Sequence, residues 1–417
     1  MTRRAFLSLT AFAPLALAAC GQTLAGQATP SVPASASSAA PASGSVSAKP
    51  GASGSAGGSA APASASATNS GSASAKPAAS AQTSAANPSA AVGSASAKPG
   101  ASSSLASALS PPAQTIAVFN VASKDVTLID AASNEVSGTK PLGASIRWLG
   151  EEQAYWDGKS IWTYDFPNNK LVVLAIDPAV WQVVKTIPAG NGPGHSVILS
   201  QDRKTASVNV AGDNKLLSFD TASGSQVASA GVGKFPCDLD NSNDYKVLYC
   251  PERDQDTVGM FDAGTLKLIK RVSFPADSKP HMLRVSPDGQ TVWVQTASAG
   301  TNVVLKASDL TVLATEKVGK TPVTNAWSPD GRWSIVTNQG ENTATLFDAT
   351  TFKPVKTIDV GQSPGVVSFR EDGKFAYIAV TGANTVAVID TATWTVAKTL
   401  KAGQQPQGVI VLPPHPR

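Results

Sequence analysis

Histidine, cysteine and methionine are scarce in this chain, with three residues of each among 417. The Cys-x-x-Cys-His signature of covalent c-type haem is absent, and so are the P-loop, Gly-x-Ser-x-Gly and His-Glu-x-x-His motifs. These absences exclude the enzyme classes that the motifs define. The sequence therefore supplies no recognisable catalytic residue or metal-ligand set, and we predict neither a metal nor another cofactor.

Acidic residues are missing from the first 113 positions, where five of the 33 basic residues lie. The rest of the chain carries 28 basic and 29 acidic side chains and is close to neutral. A protein that grips nucleic acid needs a basic field to neutralise phosphates. We therefore expect no nucleic-acid partner.

The first twenty residues have the layout of a bacterial export signal. Arg3 and Arg4 precede an apolar run from Ala5 to Ala19, which is short for a membrane span of about 20 apolar residues. Residues Leu17 to Gly21 resemble the lipobox of lipoproteins, which predicts a signal peptide over residues 1–19 and a lipid on Cys20. A free cysteine behind an ordinary signal and a short membrane anchor are the alternatives. The arginine pair fits either twin-arginine or general export.

Residues 20–113 consist almost entirely of Ala, Ser, Gly and Pro, with Ser-Ala-Lys-Pro repeated at Lys49, Lys76 and Lys98. Because large apolar side chains are almost absent, such a segment cannot offset the entropy of ordering. We expect a disordered tether between a membrane and a C-terminal domain of residues 114–417. Gly21 is not the aspartate associated with inner-membrane retention, so the expected location is the bacterial cell envelope, with the anchor in the outer membrane.

One unit is repeated seven times between Thr115 and Leu412. The residue that ends the second hydrophobic run of each unit recurs every 42 to 47 positions. These residues are Asp130, Asp177, Asp220, Asp262, Lys306, Asp348 and Asp390. A period in the low forties with four short β-type runs is typical of a propeller blade. The repeats predict an all-β protein with a seven-bladed β-propeller.

The sixth unit predicts how the strands of a blade are arranged. Ser328-Pro329-Asp330-Gly331 is a tight turn between an inner strand, Val323 to Trp327, and a second strand, Trp333 to Thr337. A third strand, Thr343 to Phe347, and an outer strand, Lys353 to Val360, follow.

The two ends of the repeat region are complementary. It begins with a second strand, Ile116 to Asn120, and finishes with an inner strand, Gly408 to Leu412. Pairing of the two would remove the open edge of a linear array. We predict a ring closed by the C-terminal strand, and a monomer.

These units resemble the YVTN-type β-propeller repeat proteins of prokaryotic cell envelopes. The matching stretches are Asn384–Asp390, Thr395–Leu400 and Val360–Val367, and the resemblance covers roughly 300 residues in register. It implies a propeller whose relatives include lactonase-like and haem d1-binding proteins as well as proteins without known activity. Blade two departs from the pattern, because about ten residues from Gly150 to Lys159 lengthen its first turn.

Five charged or titratable residues are candidates for a site at the mouth of the central channel. His195 and His281 follow the loop prolines of blades three and five, where they are either ligands or acid/base groups, or loop residues bonded to backbone carbonyls. Loops between second and third strands are expected on the same face. Arg253, Asp254 and Asp256 make the blade-four loop the most charged of these, although turn chemistry and solvation also explain such charges.

Cys237 and Cys250 flank one predicted hairpin of blade four. In an exported protein they form either a disulfide or two buried thiols. Aromatic residues concentrate in blade two, where they serve either to bind a carbohydrate or peptide or to pack between blades. These residues are Tyr155, Trp156, Trp162, Tyr164 and Phe166.

Two function classes fit the sequence. The favoured one is a non-catalytic envelope lipoprotein, attached to the membrane through Cys20, whose propeller binds an envelope protein, glycan or wall ligand. The alternative is a periplasmic enzyme or redox accessory, either a lactonase-like hydrolase or a cofactor-binding propeller. The long tether and the scarcity of histidine favour the first, whereas only the fold relatives favour the second.

Overall fold

The computed structural model describes residues 114–150, 155–194 and 196–412. These residues form seven antiparallel sheets, six of four strands and one of three, so the predicted seven-bladed propeller is confirmed. The predicted signal peptide, Cys20 and the tether lie outside the described residues. Within those ranges, no helix is long and apolar enough to cross a bilayer.

The strands of each blade follow one another outward from the axis, and they are numbered in chain order. Blade one consists of β27 (Pro406–Leu412), β1 (Thr115–Asn120), β2 (Asp125–Asp130) and β3 (Glu135–Pro141). Blade two consists of β4 (Ile161–Asp165), β5 (Lys170–Asp177) and β6 (Gln182–Asn191). Blade three consists of β7 (Val197–Leu199), β8 (Thr205–Val210), β9 (Lys215–Asp220) and β10 (Gln226–Gly231). Blade four consists of β11 (Asp240–Asn241), β12 (Val247–Glu252), β13 (Thr257–Asp262) and β14 (Leu268–Ser273).

The last three blades have the same order. Blade five consists of β15 (Pro280–Val285), β16 (Thr291–Thr296), β17 (Thr301–Lys306) and β18 (Val312–Lys317). Blade six consists of β19 (Pro322–Trp327), β20 (Trp333–Asn338), β21 (Thr343–Asp348) and β22 (Lys353–Asp359). Blade seven consists of β23 (Pro364–Phe369), β24 (Phe375–Val380), β25 (Thr385–Asp390) and β26 (Thr395–Lys401). Short 3-10 turns lie at Pro167–Asn169, Arg253–Gln255 and Thr381–Ala383.

The C-terminal strand closes the ring, as the sequence predicts. β27 pairs antiparallel with β1, with Leu412 opposite Thr115 and Gly408 opposite Phe119. All seven residues of β27 are buried. Closure therefore gives β1 a partner at each of its edges, because β2 pairs with the other one.

The core lies between the blades. Every residue of the inner strand β15 is buried, whereas the outermost strand of the same blade, β18, has only exposed and half-buried residues. Aromatic side chains join neighbouring blades: the indole of Trp293 in blade five lies 4.8 Å from that of Trp327 and 5.3 Å from the ring of Phe347, both in blade six. Both contacts are edge-to-face, the arrangement that aromatic quadrupoles favour.

Blade two differs from the four-stranded unit that the repeats predict. Among its described residues only three strands form, and an irregular segment from Gly143 to Gly150 takes the inner position. Trp148 in this segment has a φ of 55°, which lies in the left-handed region that no β-strand uses. In blade two, the irregular segment from Gly143 to Gly150 therefore stands in place of an inner strand.

Two buried tyrosines predict how the fold responds to alkali. Tyr249 donates its hydroxyl to the Ala307 carbonyl at 2.9 Å, and burial raises the pKa of Tyr249 and of Tyr377 to about 12. In the unfolded chain both pKa values return to about 10. The folded state therefore keeps protons that the unfolded state releases, and stability is lost as the pH rises from about 10 to about 12.

At about pH 11 we expect each of these tyrosines to cost roughly 1 kcal/mol of the free energy of unfolding. Urea unfolding at about pH 9 and about pH 11 measures the loss, and phenolate absorbance measures the late titration. Tyr249→Phe and Tyr377→Phe should each remove part of the pH dependence. A protein whose tyrosines all titrate near pH 10 while folded would contradict this expectation.

Candidate functional site

The connections that lead into the inner strands lie beside the loops between second and third strands, at one end of the ring. In blade four the Arg253 N–H donates to the Phe235 carbonyl at 3.0 Å. In blade seven the Thr381 N–H donates to the Ser363 carbonyl at 3.0 Å. The two sets of loops meet as the sequence predicts, and we call this end of the ring the loop face.

Asp256 is a structural residue of the loop face. Its φ of 54° lies in the left-handed region, which Asp and Asn tolerate better than most residues. Its carboxylate accepts the N–H groups of Asp277 and Lys279, both at 2.8 Å. Asparagine oxygens accept the equivalent N–H in three other blades, at Asn214, Asn342 and Asn384. The Asp256 carboxylate therefore ties its loop to the connection into blade five.

The other two charges of the blade-four loop are less constrained. The Arg253 guanidinium lies 5.5 Å from the Phe235 ring centroid, within cation–π range. An Asp254 carboxylate oxygen lies 3.8 Å from the Lys279 ammonium, and the Asp254 side chain is 46% exposed. An ion pair that is solvated in this way contributes little to stability.

Glu252, at the end of β12, is a buried charge that the sequence did not single out. Its carboxylate accepts two hydrogen bonds from the Arg271 guanidinium, at 2.5 and 2.6 Å, and one from Thr257 at 2.5 Å. The Gly233 N–H donates to it at 2.7 Å. The hydrogen bond to Glu252 raises the pKa of Arg271. This ion pair fixes the blade-four loop. The sequence did contain a signal for Glu252: it ends the second strand of blade four, the position that the polar residues Asn120 and Asn338 occupy in blades one and six.

Trp148, from the inner segment of blade two, packs among inner-strand residues of other blades. The inner segment of blade two carries its indole to blade five, where the Trp148 and His281 rings are perpendicular with centroids 6.0 Å apart. A side-chain carbon added at Gly365 of blade seven would lie 3.6 Å from the same indole. One buried cluster joins Trp148 to inner-strand residues of four other blades: Met282, Val323, Val366 and Val409.

His281 therefore lies at a packed axis. His281 is only 4% exposed, whereas the sequence predicted a position in which its side chain can face the channel mouth. The proline before it begins β15 as predicted, but the indole of Trp148 from the opposite side of the ring covers it. That contact depends on blade two and is invisible in the repeat of blade five.

A buried ion pair lies next to Trp148. The Arg284 guanidinium of blade five donates to the Asp238 carboxylate of blade four at 2.6 Å, and both side chains are almost fully buried. Asp238 also accepts the Leu283 N–H at 3.1 Å and the Ser196 hydroxyl. A cavity of about 10 Å³ remains between Arg284, Ser196 and the Trp148 segment. The Asp238–Arg284 ion pair, the hydrogen bond from Ser196 and the packing of Trp148 on His281 together connect blades two, three, four and five.

A family model for YNCE-like β-propellers matches residues 32–371 of the chain. The chain belongs to the YNCE-like β-propeller family. This assignment agrees with the propeller resemblance of the repeats. No curated protein sequence matches the chain.

Several solved structures are similar to this YNCE-like propeller. The periplasmic gluconolactonase PpgL of Pseudomonas aeruginosa is 18% identical, over 72% of this chain and 99% of its own, with a TM-score of 0.61. Hydrazine synthase of Kuenenia stuttgartiensis is 21% identical, over 67% and 92%, with a TM-score of 0.57. The dihydro-heme d1 dehydrogenase NirN is 17% identical, over 71% and 74%, with a TM-score of 0.55. At such low identity the likeness shows the fold alone.

The two cysteines of the YNCE-like propeller are both buried thiols in the structure. Cys250 lies in β12, and the Cys237 N–H donates to the Pro251 carbonyl at 2.9 Å, so the two flank one hairpin as predicted. Burial, and then the charge of Glu252, raises the pKa of Cys250 well above its usual range. A protonated buried thiol reacts slowly. Of the two alternatives, the structure has the thiols, and oxidation after export stays a prediction.

The aromatic group of blade two mainly packs. Tyr155, Trp162 and Tyr164 are buried in one hydrophobic cluster, and Trp156 and Phe166 pack against it while half-buried.

His195 lies outside the described residues, so its predicted position stays a prediction. Among residues 114–150, 155–194 and 196–412, no three His, Cys, Asp or Glu side chains are grouped closely enough to hold a metal ion.

Proposed function

We propose that this YNCE-like propeller is a non-catalytic binding module of the bacterial cell envelope. The observation that carries the proposal is the burial of His281 against the Trp148 indole. Ligand sites usually need a concave space with converging polar groups, whereas His281, the candidate channel residue, is 4% exposed and packs against Trp148. A ligand therefore meets the loop face or the opposite end of the ring, and its recognition depends on exposed loops and turns.

We further propose that a lipid on Cys20 attaches the protein to the outer membrane and that its partner is an envelope protein or glycan. The lipobox-like sequence before Cys20 supports the anchor. Cys20→Ser should move the protein from the membrane fraction to the soluble fraction. Mass spectrometry of the N-terminal peptide should find an acylated cysteine only in the native sequence. An unmodified Cys20 in membrane-bound protein would overturn the anchor.

A channel-based hydrolase or redox accessory is the second candidate function. The likeness to a periplasmic gluconolactonase and to a haem d1 enzyme favours it, and the burial of His281 opposes it. The test uses protein purified from its own envelope, with the His195→Ala/His281→Ala variant as comparison. We expect an absorption spectrum of aromatic side chains alone, no stoichiometric metal, and no hydrolysis of gluconolactone or 6-phosphogluconolactone above the buffer rate. A chromophore, metal or lactonase rate that the double variant loses would replace the binding module with the enzyme.

A further inference from the structure

The turns between inner and second strands lie at the end of the ring opposite the loop face, where neighbouring turns contact each other. A side-chain carbon added at Gly331 of blade six would lie 3.8 Å from Pro287 of blade five. One added at Gly373 of blade seven would lie 3.6 Å from Pro329 of blade six. In both pairs of blades the turn proline of one blade therefore faces the turn glycine of the next.

Blade one has no such turn, because the ring closes there. Its inner strand β27 and its second strand β1 come from opposite ends of the propeller sequence, with Leu412 paired to Thr115. A groove of about 320 Å³ lies beside this pair, at the boundary with blade two. We call it the closure groove. Its mainly apolar walls include Thr115, Leu128 and Leu412 of blade one and Trp156, Pro178 and Trp181 of blade two.

At the boundary of blades five and six an indole fills the equivalent space. The ring of Trp293, in the second strand of blade five, lies 4.8 Å from that of Trp327 and 6.1 Å from that of Phe352 in blade six. Trp293 is the third residue of its strand, and Ala117 is the third residue of the second strand in blade one. Blade one therefore offers a methyl group where blade five offers an indole.

Trp156 and Trp181 hold in blade two the positions of Trp327 and Phe352. Trp156 makes the last pair before the turn with the second strand of its blade, as Trp327 does in blade six. Trp181 and Phe352 are the left-handed residues of the outer turns, with φ of 56° and 60°. Two indoles of blade two therefore border a space from which the third aromatic ring is missing.

Strand pairing locates a proline at the entrance of the closure groove. In blades five and six the turn proline lies two residues after the inner-strand residue that pairs with the second residue of the second strand. In blade one that inner-strand residue is Val411, and two residues further along the chain is Pro413. Since the turn prolines of blades five and six face the next blade, the equivalent direction for Pro413 is toward blade two and its groove.

The chain on the other side of the closure contacts blade seven instead. Gln114, which precedes β1, donates its side-chain amide to the Glu371 carboxylate of blade seven. The carbonyl of Gln114 accepts the Ala131 N–H at 3.1 Å. A second Pro-Pro pair, Pro111 and Pro112, precedes this contact in the sequence. Of the two proline pairs, only the one that follows Leu412 is continuous with a residue whose neighbouring blade is blade two.

We propose that the closure groove binds residues 413–417 of the same chain, Pro-Pro-His-Pro-Arg, with the rings of Pro413 and Pro414 against the indoles of Trp156 and Trp181. Proline-rich segments dock in aromatic-lined grooves, because their preformed extended conformation loses little entropy on binding. This segment begins next to a residue that lines the groove, so its effective concentration there is high. It takes the place of the turn that blade one lacks. The inference goes beyond the proposed function and does not depend on it.

The test uses the full-length chain labelled with 5-fluorotryptophan and observed by fluorine NMR. Trp156→Phe and Trp181→Phe assign the two groove signals, and Trp333→Phe assigns a reference signal in blade six. In the variant Pro413→Ala/Pro414→Ala we expect both groove signals to shift, because the rings that cover the indoles are removed, and the reference signal to stay. A chain that ends at residue 412 should show the same shifts.

The matched control is Pro111→Ala/Pro112→Ala, which removes the other Pro-Pro pair and should leave the groove signals unchanged. Equal shifts in the two double variants, or shifts in the control alone, would overturn the proposal, the second result by assigning the groove to the N-terminal segment. Shifts in the shortened chain but not in Pro413→Ala/Pro414→Ala would show that the prolines do not make the contact.

A peptide added to the shortened chain tests the contact without any substitution. Acetyl-Pro-Pro-His-Pro-Arg should move the groove signals back toward their positions in the full-length chain. Acetyl-Ala-Ala-His-Ala-Arg should bind at least about threefold more weakly, and equal binding of the two peptides would overturn the recognition of proline. Groove signals that respond to the first peptide but not to the shortening of the chain would assign the groove to a proline-rich segment of another protein.

Discussion

Asp238→Ala is expected to lower the free energy of unfolding by about 3 to 5 kcal/mol, the cost typical of breaking a buried ion pair from one side. The Asp238 carboxylate holds the Arg284 guanidinium at 2.6 Å in a site where the Arg284 side chain is 6% exposed. Removing the carboxylate leaves the positive charge of Arg284 buried next to Trp148 without the Asp238 counter-charge. It also removes the acceptor of the Leu283 N–H and the Ser196 hydroxyl.

Urea unfolding followed by circular dichroism measures this effect. The control is Asp202→Ala, since Asp202 forms an exposed ion pair with Lys204 at 3.7 Å, and it should change stability little. Combining Asp238→Ala with Arg284→Met should recover part of the loss, because the double variant buries no unpaired charge. A loss no greater than that of Asp202→Ala would mean that the axial ion pair does not support the ring.

Deleting residues 406–417 is expected to abolish cooperative folding. The deletion removes β27, whose seven residues are all buried and include four large aliphatic side chains, Val409 to Leu412. Burial of each such side chain contributes about 1.5 to 3 kcal/mol, so the loss is comparable to the whole stability of a typical domain, about 5 to 15 kcal/mol. It also exposes the edge of β1, and open edges favour aggregation.

The control for this deletion is a chain that ends at Leu412, which keeps β27. We expect it to melt in one sharp transition and to elute as a monomer, whereas the longer deletion should melt broadly, if at all, and form oligomers. Thermal melting and size-exclusion chromatography measure both properties. A sharp transition in the chain that lacks β27 would show that pairing of the terminal strands does not hold the ring together.

The fold was predictable because its signals are local and repeated. The short β-type runs and the Ser-Pro-Asp-Gly turns locate strands such as β19 and β20 to within one residue at each end. Complementary terminal strands predict the closure by β27. Seven copies of one pattern reinforce each other, so a single irregular unit does not obscure the architecture.

The centre of the ring was not predictable in the same way. Trp148 comes just before the lengthened turn of blade two in the sequence, and only the closed ring brings it to His281. Asp238 and Arg284 lie 46 positions apart in different blades, and nothing in the repeat couples them. Asp256, chosen for its charge, performs the same loop function as the asparagines of three other blades. Contacts across the axis depend on how the blades assemble, which a pattern within one blade does not contain.

The position of β1 determines how the ring bears mechanical load. A pull applied on the N-terminal side of Thr115 acts on a strand held at both edges, by β2 along one and by β27 along the other. Because both ladders run along the strand, a pull along the strand axis shears all their hydrogen bonds together instead of opening them one by one. A propeller closed in this way resists traction through its N-terminus more strongly than a ring that begins with an outermost strand.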